Sequence, residues 1–165
     1  CGTTDENTFI STLPKSKSEY LDFLYIGKAD KTTNKLTEDI ISHKPETTVI
    51  SEYAKGNLNR SGIQLPQNTI ISDSYTHNFN KEITIQTVDT YPVNCVIIKC
   101  NEKIVIICYG SDYDIEKIFS SYGKPDILVL PESLPKELPH DIETLIISSN
   151  SEAGIRNDLS VLERQ

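Results

Sequence analysis

Four cysteines, three histidines and a few closely spaced carboxylates are the side chains of this 165-residue chain with the most chemistry to offer. Cys95, Cys100 and Cys108 stand in or beside apolar runs, at spacings that match no zinc signature, and there cysteine acts as a small hydrophobe. Asp112 and Asp114 are close enough to share a cation, but a capped helix start accounts for both carboxylates without a ligand. Ser72-Asp73-Ser74 with His77 offers a hydroxyl and a base. No strand-to-helix elbow surrounds it, so the segment is expected to be a turn. His43, His77 and His140 lie far apart in expected loops and are read as solvent-facing. The glycines never reach a phosphate-cradling spacing. Tyr53 to Arg60 is the most basic stretch and is expected to be a solvated face.

Sixteen Lys and Arg against 24 Asp and Glu leave a net charge of -8, which disfavours gripping a phosphate backbone and gives no strong nucleic-acid signal. No apolar run approaches the ~20 residues of a membrane span. With no Met and no Trp, the core must come from Ile, Val, Leu, Tyr and Phe, and position 1 is not a translation start. The length suggests one domain over residues 1–165.

The elements that must position these groups alternate between helical pattern and short apolar run. Thr4 to Leu13 reads as a helix, Leu21 to Ile26 as a strand stopped at Gly27, and Leu36 to Ser42 as a short helix broken before Pro45. Thr48 to Ser51 is the next strand, Tyr53 to Arg60 a weak helix and Ser61-Gly62 a turn. Such βαβα alternation marks a layered α/β domain. Thr69 to Ile71 follows, and Glu82 to Val88 alternates with period two as a half-exposed strand. Cys95 to Ile98 and Ile104 to Cys108 are apolar on both faces and must be covered on both sides. A two-residue turn at Asn101-Glu102 sets Ile97 against Ile106 and Cys95 against Cys108, a thiol pair placed for oxidation to a disulfide. Ser111 to Asp114 reads as a capping box ahead of Ile115, Ile118, Phe119 and Tyr122, with Gly123 as the stop. Asp126 to Leu130 and Thr144 to Ile147 are two more strands, Pro131, Pro135 and Pro139 mark an irregular loop, and Asp158 to Glu163 closes as a short helix. The expected fold is two stacked sheets with outer helices, and the alternative is a single doubly wound α/β sheet.

The order of these elements resembles the metallo-β-lactamase-like hydrolases, and within them the extracytoplasmic domain of ComEC-type DNA-uptake competence proteins. Cys1-Gly2 looks like the tail of that family's Asp-Cys-Gly strand, and Leu21 to Ile26 resembles the strand leading into its metal loop, here Gly27-Lys28-Ala29-Asp30-Lys31-Thr32-Thr33. Asn94 to Gly110 resembles the strand pair before Thr-Gly-Asp, here Tyr109-Gly110-Ser111. Lys124 to Pro131 looks like the strand before a His-His-Gly-Ser motif, and Asp141 to Ser149 like the segment after it. The resemblance spans most of the chain and implies an αββα sandwich, incomplete at its N-terminus, with an exposed sheet edge suited to homodimerisation.

A two-metal hydrolytic centre needs imidazoles and carboxylates at fixed places. The family's first His falls on Lys28, the bridging Asp on Ser111, the His-His pair on Glu132-Ser133 and the last His on Ile155, so nearly the whole ligand set is replaced. The resemblance therefore implies a non-catalytic domain, with no cofactor, that scaffolds or binds a protein partner within a larger membrane protein, on the extracytoplasmic side of the bacterial envelope, with a cytoplasmic location as the alternative. One alternative is a metal-dependent phosphodiesterase or nuclease using zinc or manganese on displaced ligands, Asp30, Asp112 and Glu132. Another is an envelope lipoprotein module in which Cys1 carries lipid.

Overall fold

A computed structural model describes residues 21–29, 34–109, 113–130, 142, 144–147 and 160–163. The chain divides into two compact units, with the boundary between Asp73 and Ser74.

The first unit is a β-α-β-α-β run. Strands β1 (Phe23–Ile26), β2 (Thr47–Ile50) and β3 (Thr69–Ile71) are linked by helices α1 (Asn34–Ser42) and α2 (Glu52–Arg60). The strands are parallel and neighbours in chain order, with Ile26 beside Ile50 and Ile50 beside Ile71. Parallel strands joined in that order by right-handed crossovers put both helices on one face. The core agrees: Leu24, Ile26 and Ile50 share one face of the pleat, and they cluster with Ile41 of α1 and Ala54 and Leu58 of α2. α1 ends in a turn in which Lys44 takes a left-handed φ of 51° ahead of Pro45. The helix expected to be weak at Tyr53 to Arg60 is a full nine-residue helix capped by Ser51, which the apolar run had assigned to the preceding strand. A Ser at that position ends the strand because its hydroxyl satisfies the orphan N–H of Ala54.

The second unit is a seven-stranded sheet in the order β10-β9-β8-β7-β6-β5-β4. Strands β4 (Ser74–Asn78), β5 (Ile83–Thr90), β6 (Val93–Cys100) and β7 (Lys103–Cys108) form an antiparallel meander. Helix α3 (Ile115–Tyr122) then crosses to β8 (Ile127–Leu130), parallel to β7, and β9 (Thr144–Ile147) is parallel to β8. The Asn101-Glu102 turn and its register stand as expected: Ile97 faces Ile106 and Cys95 faces Cys108. Asn101 supplies the turn's left-handed residue with a φ of 55°.

Parity along the meander sorts its side chains into two faces. Val88, Cys95, Ile97, Ile106, Cys108, Leu128 and Leu145 are all under a tenth exposed and join Ile115 and Ile118 of α3 in one core. The opposite face carries Ile83, Ile85, Val96, Ile98, Val105, Ile107, Ile127 and Val129, and these are half-buried. The strands expected to be covered on both sides are thus sealed by a helix on one face and partly covered on the other.

The described strands fall into two sheets, one wholly parallel and one mixed, which sets aside the alternative of a single doubly wound sheet. Three expectations are corrected. Residues near the C-terminus form strand β10 (Ser160–Glu163), antiparallel to β9, in place of a helix. A four-residue apolar-polar segment is too short to sustain a helix, and pairing with a sheet edge satisfies its backbone instead. The α3 cap is Asp114 itself, whose Oδ1 accepts from the Lys117 N–H at 3.0 Å, so the helix begins at Ile115 and not within Ser111 to Asp114. His77 lies in β4, not a loop, because Tyr75, His77 and Phe79 alternate onto one side of a strand. The helix expected at Thr4 to Leu13, the proline-rich loop and His140 lie outside the described residues.

Candidate functional site

In parallel α/β sheets the place where ligands gather is the carboxyl end of the strands. In the first unit that end is formed by Gly27-Lys28-Ala29 after β1, Ser51 and Glu52 after β2, and Ser72 and Asp73 after β3. The segment after β1 carries the resemblance to the metal loop.

The Gly27 and Ala29 carbonyls are paired within the unit. The buried Ser51 hydroxyl donates to the Gly27 carbonyl at 2.7 Å and accepts from the Ala54 N–H at 3.0 Å. Asn57, one turn into α2, donates from Nδ2 to the Ala29 carbonyl at 2.8 Å, and Arg60 in turn donates to Asn57 Oδ1. Ala29 is fully buried in the same cluster as Leu58. The electropositive start of α2 is met by Asp73, whose Oδ1 accepts from the Glu52 N–H at 3.0 Å. The segment expected to be a simple turn therefore has a defined role: its Asp73 caps a neighbouring helix, and Ser74 begins β4.

A hydrolytic two-metal centre does not fit the described donors at this end. Lys28, exposed, brings a cation where the resemblance puts an imidazole, and the one described carboxylate among these loops besides the Glu52 side chain, that of Asp73, already serves a backbone N–H. Among the described residues no group of three or more His, Cys, Asp or Glu is placed to hold a metal ion. Asp30, Asp112 and Glu132, the displaced ligands considered from sequence, lie outside the described residues, as does Cys1. His43 follows α1 half-buried in its closing turn, with its N–H donating to the Ile40 carbonyl. His77 is half-buried on β4, stacked at 6.4 Å from Tyr75 and edge-on at 4.5 Å from Phe79.

The second unit holds its own paired chemistry. Asp126, at the entry to β8, accepts from Lys103 Nζ and from the Ile104 N–H, both at 2.7 Å. The Lys103 bond first and the Ile104 bond second hold its carboxyl below the ordinary 3.8. Tyr109, just past β7, donates its hydroxyl to the Val88 carbonyl at 2.8 Å. Under α3, burial pushes the Cys95 thiol up to about 12 and, with the neighbouring Cys95 sulfur adding to it, the Cys108 thiol to about 12 as well. Burial and Cys95 also raise the Tyr122 phenol. These thiols are packing groups in this state, since nucleophilic sulfur requires thiolate.

Sequence reasoning found the cysteine pair but missed the Ser51, Asn57 and Asp73 clamp. Ser51-Glu52 ahead of Ala54 and Leu58 carries a helix-start signature that could have revealed the first of these. No protein family compared with the chain matches it, and no curated protein shows significant similarity to it.

Proposed function

We propose that this chain is a non-catalytic domain of metallo-β-lactamase-like type, related to the ComEC-type competence proteins, that scaffolds or binds a protein partner within a larger membrane protein at the extracytoplasmic side of the bacterial envelope. The observation that carries the reading is the internal pairing at the carboxyl end of β1 to β3. Where the resemblance puts a metal-holding loop, Ser51 and Asn57 hold the Gly27 and Ala29 carbonyls and Asp73 caps α2. Carbonyls taken up by the cap and first turns of α2 support a loop end built for shape, not for activating water.

The αββα sandwich belongs to the same proposal. Such a sandwich asks of each sheet one helix-covered face and one apolar face free of helices. The second unit meets this with α3 over Cys95, Ile97 and Ile106 and half-buried Val96, Ile98, Val105 and Ile107 on the reverse. The surplus of acidic over basic residues, leaving -8, supports a protein partner over DNA. None of the described helices is long and apolar enough to cross a membrane.

The deciding experiment is metal analysis of the full chain after loading with zinc or manganese, paired with a manganese-supplemented DNA cleavage assay. The non-catalytic reading expects no stoichiometric metal and no cleavage. Stoichiometric metal together with cleavage that Asp30→Ala or Asp112→Ala abolishes would establish the displaced-ligand nuclease instead.

A further inference from the structure

Cys95 on β6 and Cys108 on β7 are directly opposed in the antiparallel ladder. The next pair toward the strand ends, Asn94 and Tyr109, is hydrogen-bonded, with the Tyr109 N–H donating to the Asn94 carbonyl at 3.1 Å. Hydrogen-bonded and non-hydrogen-bonded pairs alternate, so Cys95 and Cys108 occupy a non-hydrogen-bonded pair, where Cα atoms approach to about 4.5 Å and side chains stand closest. That separation falls inside the range of roughly 4.4 to 6.8 Å that disulfides span. Both side chains are on the α3 face of the sheet, 0% and 3% exposed, and both are free thiols. Cys100 is no competitor. It lies an odd number of residues along β6 from Cys95, on the other face, opposite Lys103 and Ile83.

We infer that Cys95 and Cys108 are an oxidation site that closes to a cross-strand disulfide when the chain folds in an oxidising compartment. Two S–H bonds break and one S–S bond forms, and two electrons with both protons pass to a small-molecule or protein disulfide, which leaves as two thiols. Exchange needs a thiolate, and burial under α3 suppresses it, so the bond forms while the β6–β7 hairpin is still open to solvent. Once α3 is docked the same burial shields the bond from reductants. The cross-link is therefore a permanent staple of the hairpin, not a cycling switch, and it stands independently of the proposed function.

The test is oxidative refolding of the full chain from denaturant in mixed reduced and oxidised glutathione, quenched with iodoacetamide and read by intact mass and peptide mapping. The expected product is about two protons lighter than the fully reduced chain before alkylation is counted, with Cys95 linked to Cys108 and with Cys1 and Cys100 alkylated. The Cys100→Ser variant keeps the link, and dithiothreitol breaks it only when denaturant is added. Four alkylated thiols after oxidative refolding, or a link through Cys1 or Cys100, overturns the inference. Reduction of the folded chain as fast as the unfolded one overturns the staple.

Discussion

The Ser51 hydroxyl bonds the Gly27 carbonyl at 2.7 Å while serving as the N-cap of α2, so one buried side chain ties the end of β1 to the start of the helix after β2. Neither residue is near the other in sequence. The contact holds the Gly27 carbonyl, at the end of β1, against the start of α2.

Ser51→Ala removes the cap and leaves the Gly27 carbonyl unpaired inside the unit. The expected loss is about 1 to 3 kcal/mol, the sum of a missing cap and a stranded acceptor. Urea unfolding of wild type and variant measures it, and an unchanged midpoint would remove the clamp from any role in stability.

Asp126→Asn tests the latch between the starts of β7 and β8. The folded carboxyl titrates below its ordinary 3.8, so its contribution is full above that value and fades as pH falls through the lower folded value. Wild type is expected to be more stable than the variant at pH 6, with the gap closing below pH about 4. Melting curves across that window read the effect. Because Lys103 is largely exposed, added salt narrows the gap only in part, the Ile104 N–H bond remaining.

Ile118→Ala opens a cavity where α3 meets the sheet, since Ile118 is fully buried among Cys95, Ile97 and Ile106. About 2 to 5 kcal/mol is expected to be lost. Val105→Ala, on the half-buried reverse face, is expected to lose about 1 kcal/mol, and equal losses would contradict the asymmetry of the two faces.

In reduced protein the thiols separate by reactivity. Iodoacetamide at pH 8 is expected to label the exposed Cys100 and to leave Cys95 and Cys108 unlabelled until the chain unfolds, because burial holds both near 12. Stability of the reduced chain falls as pH rises above about 9, where an unfolded thiol releases its proton and these folded ones do not. Mass spectrometry of labelled peptides over time distinguishes the sites.

Lys44→Gly relieves a left-handed φ of 51° in a residue with a Cβ. A gain of up to about 1 kcal/mol is expected after the extra freedom glycine gives the unfolded chain is subtracted. A lower melting temperature would show that the lysine side chain has a compensating contact.

The elements legible in the sequence are those whose signal is local. Ile104 to Cys108 and Ile127 to Leu130 are dense β-branched or apolar runs, Gly123 stops α3 where expected, and the Asn101-Glu102 turn sets the register that opposes Cys95 to Cys108. Strand β4 was not legible, because Ser-Tyr-Thr-His-Asn has no aliphatic residue and its partner β5 supplies the reason it is extended. Nor was β10, which is a strand through pairing with β9. The cap of α3 proved to be Asp114, and helix ends of that kind turn on a single hydrogen bond.

Apolar content, turn residues and spacing were sufficient by themselves to determine an α/β chain, the β6–β7 hairpin, its register and the cysteine pair, because strand and turn preferences act over a few residues. The loop after β1 drew attention only through the family resemblance. Only the tertiary structure decided what that loop is, since the carbonyls of Gly27 and Ala29 are bonded by Ser51 and Asn57 from 24 and 28 residues away. It likewise decided that one face of the second sheet is sealed by α3 and the other half-covered, because burial depends on which element packs above a strand, and no residue records that in its own neighbourhood.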